Sequence, residues 1–187
     1  MESVHHPRRA QLEAGLEQIL RAPPDRGVLE MIVRRPQVGA REVLDAADLH
    51  RELGLVGDSW SRRPSSRTAD GSPHPEMQLN LMSSRVIEAV AGQRARWPLA
   101  GDQLFVDLDL TPENLPAGTR LAIGDGGAVI AVTAQPHTGC RKFAERFGLD
   151  ALTFVNSGRG KRLRLRGLNA RVIEPGAVAV GDRLVKL

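Results

Sequence analysis

The sequence predicts a mostly-β barrel with a few short helices packed around its outside. Short segments rich in branched residues recur at regular intervals from residue 103 to the end of the chain. Gly-Asp and Gly-Gly turns separate several of them, notably at 124–127 and 181–182. Many short strands with turn residues at this spacing are typical of barrels and sandwiches. A length of 187 residues suits one domain with a sizeable core.

The N-terminal part is predicted to be a helix that covers the barrel. Four apolar residues share one helical face, namely Leu12, Leu16, Ile19 and Leu20. The pattern ends at the Pro-rich residues 22–25. We therefore assign residues 1–26 to a helical extension and residues 27–187 to the barrel domain.

Two strands are predicted next, at 28–35 and 41–49, followed by a turn at 54–58. Residues 59–76 are polar and without periodicity, which predicts a long loop. Loops of this length in compact domains are usually functional or disordered. Whether this one closes over a ligand as a lid is left open.

Strands dominate the rest of the chain. Residues 77–82 alternate like a strand, and 83–92 are predicted to form a helix with Ser83 or Ser84 as its cap and Gly92 as its stop. The remaining predicted strands are 103–110, 119–124, 128–135, 161–167, 169–176, 177–180 and 183–187. Within 161–167 leucines alternate with arginines, so Arg164 and Arg166 are expected on the solvent face.

The charge balance is mildly basic, with 26 Lys and Arg against 22 Asp and Glu. Most of the positive charge is arginine, whose planar fork of donors matches carboxylate and phosphate, so an anionic ligand is considered. No apolar run reaches the roughly eighteen residues that a bilayer requires, and the N-terminus lacks a signal-peptide pattern. One cysteine forms no internal disulfide, so we expect a soluble protein of the reducing cytoplasm.

Cys140 is expected where a strand turns into a helix. Pro136 closes the strand 128–135, and Phe143 and Phe147 mark one face of a short helix that Gly148 ends. His137 lies three residues before the thiol, and two cations, Arg141 and Lys142, follow it directly. Because helix starts and neighbouring cations stabilise thiolates, Cys140 is a candidate nucleophile or metal ligand. The alternative is a buried, inert cysteine that acts as a small hydrophobe.

Two other uses of the thiol have less support. A papain-type protease needs a His and an Asn or Asp beside the cysteine; His137 is the candidate base, and the sequence does not show such convergence. A zinc cage or a CxxC redox pair needs a second cysteine nearby, and the chain has only one.

A family resemblance spans residues 27–187. The segments "GLVGD", "QLNLMSSRVIEAV", "AVIAVTAQPHTGCRKFAERFG" and "RGLNARVIEPGAVAVGDRL" resemble the MOSC domain in order and spacing. In that family the domain is a mostly-β barrel found in molybdenum-cofactor sulfurases, in amidoxime-reducing molybdoenzymes and as stand-alone bacterial proteins, the type that this chain resembles. Two positions depart from the family pattern: Gly139 precedes the cysteine where Pro is common, and Pro112 opens "PENL" where the family has glycine.

The resemblance implies that Cys140 is the functional thiol, which carries a sulfane sulfur or ligates molybdenum. It implies the molybdenum cofactor as the ligand and a small molybdenum-dependent reductase of N-hydroxylated compounds as one possible activity. The candidate cofactor-binding residues are Arg62, Arg63, Arg67, Glu113, Asn114, His137, Arg141, Lys142, Arg159 and Lys161.

The partners implied are an anionic cofactor or small molecule and a redox or sulfur-donor protein. The chain holds no stretch for the pyridoxal-phosphate desulfurase domain of the sulfurases, so we expect that it does not mobilise sulfur from cysteine by itself. A second interpretation stays open, in which a non-catalytic barrel binds an anionic small molecule or a protein and Cys140 is buried and inert. No aromatic residues interleave the basic stretch 158–167, which argues against nucleic-acid binding.

Overall fold

The computed structural model describes residues 6–187. The first five residues of the predicted extension therefore lie outside the described residues. None of the helices in the described chain is long and apolar enough to cross a bilayer.

Eleven strands and six short helices make up the described chain. The strands are β1 (Arg26–Arg34), β2 (Glu42–Leu44), β3 (Ala46–His50), β4 (Gly54–Leu55), β5 (Leu79–Ser83), β6 (Leu104–Asp107), β7 (Arg120–Ile123), β8 (Ala128–Val132), β9 (Leu168–Glu174), β10 (Gly176–Ala179) and β11 (Arg183–Lys186). The α-helices are α1 (Arg9–Ala14), α2 (Leu16–Leu20), α3 (Ser84–Ala91), α4 (Arg141–Phe147), α5 (Leu149–Asn156) and α6 (Gly158–Arg162). Three 3₁₀ segments span Trp60–Arg62, Pro75–Met77 and Arg94–Ala100.

Seven strands close into a barrel in the order β11-β7-β8-β9-β5-β6-β1, and β11 pairs back onto β1. β2 extends the sheet as an eighth strand, and β10, β3 and β4 form a separate small sheet. β5 and β6 pair in parallel, while the other ladders of the barrel are antiparallel. The predicted mostly-β barrel with peripheral helices is confirmed.

β1 pairs with three other strands, because it is long and contains a bulge. Its first residues pair with β11 and its last residues pair with β2. Between them it pairs with β6, with a register shift between Leu29 and Met31. Such a bulge bends a strand and increases its local twist, which a closed barrel requires.

Two hydrophobic cores lie on opposite faces of the same strands. Side chains of a strand alternate between its faces, and Leu104 and Val106 of β6 point into the barrel core while Phe105 belongs to the second core. β5 divides in the same way between Leu81 and Met82. The second core is completed by the helices, which explains why they cover this side of the barrel.

The structure corrects the strand predicted at 161–167. Residues 158–162 form α6, whose N-cap Ser157 accepts a hydrogen bond from the backbone N–H of Gly160. A turn follows, in which Arg164 takes a positive φ of 47°. Arg166 is buried with only 6% of its surface exposed, so its expected place on a solvent face is wrong.

Smaller corrections concern two other predicted elements. The N-terminal helix is divided at Gly15 into α1 and α2. Leu12, Leu16 and Ile19 are buried as predicted, whereas Leu20 is 46% exposed. The strand expected at 41–49 is two short strands, β2 and β3, separated at Asp45.

The burial of α1 predicts that the N-terminal extension stabilises the barrel. Leu12 is 1% exposed and belongs to the second core. We expect Leu12→Ala to lower the free energy of unfolding by roughly 2–5 kcal/mol, because it removes buried methyl groups and leaves a cavity. The matched control Leu20→Ala should stay within about 0.5 kcal/mol, as surface substitutions do. Urea denaturation measures both, and equal effects would contradict the packing described.

Candidate functional site: a cation-lined cavity beside Cys140

Cys140 lies at the N-cap of α4, with extended backbone angles. Its thiol is exposed. Helix α4 is anchored from behind by Phe143 and Phe147, which are 2% and 0% exposed and stack with ring centroids 4.9 Å apart. The predicted position between strand and helix is confirmed, and the burial of Cys140 expected under the inert interpretation is wrong.

Asn156 holds the residue that precedes the thiol. Its Oδ1 accepts a hydrogen bond from the Gly139 N–H and its Nδ2 donates to the Gly139 carbonyl, both at 2.9 Å. The side-chain amide thus pairs with Gly139 as a neighbouring strand would. A Cβ at position 139 would lie 2.7 Å from Leu152 Cδ1, so a larger residue here would require the Leu152 side chain on helix α5 to move.

A cavity of about 290 Å³ opens beside Cys140. No acidic side chain of the described residues lines it. Six cationic side chains do, namely Arg35, Arg41, Arg63, Lys142, Arg146 and Arg166. The apolar part of the wall includes Val38 and Phe143. We call this the anion cavity, since its charge is complementary to a carboxylate, phosphate or other oxyanion.

Backbone carbonyls at the end of the 3₁₀ segment Arg94–Ala100 hold four of these arginines. The donors and their successive acceptors are Arg41 to Pro98 (3.1 Å), Arg146 to Leu99 (2.6 Å), Arg166 to Ala100 (3.0 Å) and Arg35 to Gly101 (2.8 Å). The last carbonyls of a helical segment lack internal partners and attract cations. We call residues 98–101 the carbonyl row.

Arg35 also forms a buried ion pair with Asp58. The guanidinium donates to both carboxylate oxygens at 2.9 Å and to Asn80 Oδ1 at 2.9 Å. Burial alone would raise the pKa of Asp58, but the hydrogen bonds and charge of Arg35 outweigh it and lower that pKa. Arg35 is therefore fixed in place and compensated in charge.

Asp102 makes the corresponding pair with Arg166. The Arg166 Nη1 lies 2.9 and 2.7 Å from the two carboxylate oxygens, and His137 Nε2 lies 2.7 Å from Oδ1. Burial would raise the pKa of Asp102, but Arg166 and His137 hold it at about 2. Burial together with the charge of Arg166 lowers the pKa of His137. His137 is thus tied to Asp102 behind the cavity.

Three cations of the anion cavity, Arg41, Lys142 and Arg146, have no carboxylate partner within residues 6–187. Burial lowers the pKa of Arg41, and the charges of Arg146, Arg35 and Arg63 lower it further. Burial and Arg35 also lower the pKa of Arg63. These shifts mark a site of positive potential, where an anion relieves the repulsion between the cations.

The structure brings three predicted site residues to the cavity: Cys140, Arg63 and Lys142. His137 lies behind it on Asp102. The others make contacts elsewhere, and these are Arg62 (to the Pro36 carbonyl), Arg67 (to Met77 Sδ), Asn114 (to the Pro24 and Asp109 carbonyls), Glu113 (near Arg164), Arg141 (to Glu145), Arg159 and Lys161 (both on α6). Asn114 closes the turn at 109–114 through its hydrogen bond to the Asp109 carbonyl.

The sequence analysis missed four arginines of the cavity: Arg35, Arg41, Arg146 and Arg166. It also missed the two carboxylates behind them, Asp58 and Asp102. A signal for Asp102 is present, because this residue lies two positions before the apolar strand residues 104–106. A lone acidic residue in such a place is expected to have a buried cationic partner.

Within residues 6–187 no group of three or more His, Cys, Asp or Glu side chains is placed to hold a metal ion. Cys140 offers a single sulfur ligand. A metal at this cavity therefore has to arrive with most of its own ligands.

The protein is thus a closed mostly-β barrel with a cation-lined cavity and an exposed cysteine. The MOSC domain family matches residues 70–185, and the chain belongs to this family. No curated protein sequence gives a significant match.

Solved structures with the same fold share little sequence identity with this chain. The YuaD protein of Bacillus subtilis is similar with a TM-score of 0.64 and 18% identity, over 85% of this chain and 94% of that one. YiiM of Geobacillus stearothermophilus gives 0.57 and 16%, over 86% and 75%. YiiM of Escherichia coli gives 0.53 and 21%, over 86% and 69%. At these identities the likeness shows the fold.

The two hydrogen bonds between the Asn156 side chain and the Gly139 backbone predict a local effect of two substitutions. Asn156→Ala removes both hydrogen bonds, and we expect the Gly139 amide to exchange with deuterium roughly 2–10-fold faster, since one hydrogen bond contributes about 0.5–1.5 kcal/mol. Asn156→Asp keeps an acceptor for that N–H and should retain most of the protection. NMR-detected exchange measures both variants. Unchanged exchange in Asn156→Ala would show that Asn156 does not hold the Gly139 backbone in solution.

The buried pair predicts a pH-dependent stability. The pKa of Asp102 is about 2 in the folded protein, below the unfolded value near 3.9. Its contribution is therefore complete above about pH 4 and lost as the pH falls through about 2. At pH 7 we expect Asp102→Asn to cost roughly 3–5 kcal/mol, because Arg166 stays buried without its partner.

Urea denaturation between pH 7 and pH 2 measures this contribution. The difference between wild type and Asp102→Asn should shrink toward the acid end of the range. The control Asp125→Asn, at an exposed turn residue, should change stability by less than about 0.5 kcal/mol. A difference that stays constant with pH would show that Asp102 acts through packing rather than charge.

Proposed function

We propose that this protein binds the molybdenum cofactor or a related oxyanion-bearing compound in the anion cavity, and that Cys140 is its sulfur ligand or sulfur carrier. The observation that carries the proposal is the pairing of an exposed thiol with a cavity whose charged lining is wholly cationic. Membership of the MOSC domain family supports the same ligand.

The residues present fit such a group. A phosphate is matched by arginine donors, and Arg41, Lys142 and Arg146 have charge that no carboxylate compensates within the described residues. A thiolate is a soft ligand that suits molybdenum. A cofactor that carries its own sulfur ligands needs no protein cage, which agrees with the single thiol of this site.

The cavity residues divide into two roles in this proposal. Arg41, Lys142 and Arg146 bind the anion directly. Arg35 and Arg166 complete the wall, and Asp58 and Asp102 keep these two guanidinium groups in position. This division leaves the cavity positive although its two most buried arginines are neutralised.

The activity we propose is a two-electron reduction of N-hydroxylated compounds. If the protein binds no metal, the proposed activity is instead sulfur transfer through Cys140. Reduction of an N–OH group to N–H takes up two electrons and two protons and releases water. Bound molybdenum would supply the two-electron chemistry. A separate redox protein must supply the electrons, or a sulfur-donor protein the sulfur. We place this activity in the reducing cytoplasm, where an exposed thiol stays free.

A non-catalytic anion-binding barrel is the second candidate. The same cationic lining favours it, because charge complementarity alone accepts many small oxyanions. The cofactor assay below separates it from the first.

The cofactor proposal predicts the metal content of three proteins expressed in cells that make the cofactor. Wild type should copurify with molybdenum and pterin in comparable amounts. Cys140→Ser should lose most of the molybdenum, because the soft sulfur ligand is gone. Arg146→Gln should lose both molybdenum and pterin severalfold, because it weakens the anion site. Metal analysis and pterin fluorescence after oxidation measure the two components.

The matched control is Arg159→Gln, which removes an exposed arginine outside the cavity and should leave both contents unchanged. Wild type without molybdenum and pterin would contradict cofactor binding. If such protein still binds inorganic phosphate and Arg146→Gln does not, the anion-binding barrel is the better description.

A further inference from the structure

A second cavity, of about 190 Å³, adjoins the anion cavity. Arg35 and Arg63 line both of them. The rest of the second wall includes Trp60, His74 and Met77. The predicted long loop 59–76 supplies most of this wall. Trp60 and Met77 lie in the two 3₁₀ turns Trp60–Arg62 and Pro75–Met77.

Trp60 is the one aromatic side chain, among the Phe and Trp residues, that is not buried. The chain has four Phe, two Trp and no Tyr, and all of them fall within residues 6–187. Phe105, Phe143, Phe147, Phe154 and Trp97 are at most 3% exposed. The accessible indole therefore lies in the cavity that borders the anion site.

The lining of the second cavity favours a flat π system. An indole face stacks on aromatic rings, and the planar guanidinium of Arg63 does so as well. The thioether of Met77 adds favourable sulfur contacts with rings. No carboxylate of the described residues lines this cavity, so an electron-rich or anionic ring meets no repulsion.

Asp58 couples the two cavities. Its carboxylate holds Arg35, which lines both, and also accepts a hydrogen bond of 2.9 Å from the backbone N–H of Trp60. Arg63 Nη2 lies 3.7 Å from the same carboxylate. One buried carboxylate thereby holds the backbone of Trp60 and the Arg35 guanidinium, and it attracts the charge of Arg63.

We propose that the second cavity is a subsite for a planar aromatic ring of the ligand or substrate, with Trp60 as the stacking residue that selects it. The inference deepens the proposed function, because it requires the adjoining cavity to bind the ligand's anionic group. The class of compound is an aromatic or heteroaromatic ring joined to an oxyanion. The cavity volume suits one ring or a fused pair.

Phenyl phosphate and cyclohexyl phosphate test this with the same carbon count and different shapes. Titration calorimetry uses the wild-type chain from cells that cannot make the molybdenum cofactor, so that the anion cavity is free. It should give a Kd about tenfold lower for phenyl phosphate, within the range of measured base–aromatic stacking. Trp60→Leu should remove this preference and leave the affinity for cyclohexyl phosphate within about twofold. Trp60→Phe, which keeps a π face, should retain most of the preference.

Cys140→Ser separates this inference from the cofactor proposal. The variant should keep the phenyl preference even if it contains no molybdenum. Equal affinities for the two phosphates in wild type, or an unchanged preference in Trp60→Leu, would overturn the ring subsite whatever the metal content. Failure of both phosphates to bind would also overturn it, while the molybdenum and pterin assay would still judge the cofactor proposal by itself.

Discussion

The carbonyl row at residues 98–101 is the constraint on which the site depends. Four guanidinium groups from distant parts of the chain converge on it, one for each carbonyl. Pro98 lies inside the 3₁₀ segment, where it has no N–H to donate to a preceding carbonyl. Asp102 then adds a full negative charge directly after the row. Together these acceptors stabilise four arginine side chains close to one another in the wall of the cavity.

The barrel makes this possible by burying two faces of the same strands. β6 starts just after Asp102 and packs on the barrel core through Leu104 and on the helices through Phe105. A strand held on both faces has little freedom to shift, because a slip of one residue would exchange its faces. The carbonyl row is therefore as fixed as the strand that follows it.

The barrel class and the location of Cys140 followed from patterns that are local in the sequence. Strand alternation, turn residues and the helix stop at Gly148 each involve neighbours within a few positions. The cavity could not be predicted in this way. Arg166 and Asp102 are 64 residues apart, and nothing local distinguishes an arginine that pairs with a buried carboxylate from one that faces water. The alternation of Leu and Arg at 161–167 even favoured the wrong element, since a short helix and a turn place Leu165 in the core equally well.

The thiol and the anion site are supported by two separate frameworks, which meet at α4. Asn156 and the second core hold Cys140, whereas the carbonyl row holds the arginines. Two contacts join them: Arg146 of α4 donates to Leu99, and the Arg166 guanidinium lies 5.0 Å from the ring centroid of Phe143. Because both contacts involve α4, a movement of this helix would change the position of the sulfur and of a cation together. The distance between the thiol and the cationic side chains of the cavity is thus set by one short helix packed on the barrel.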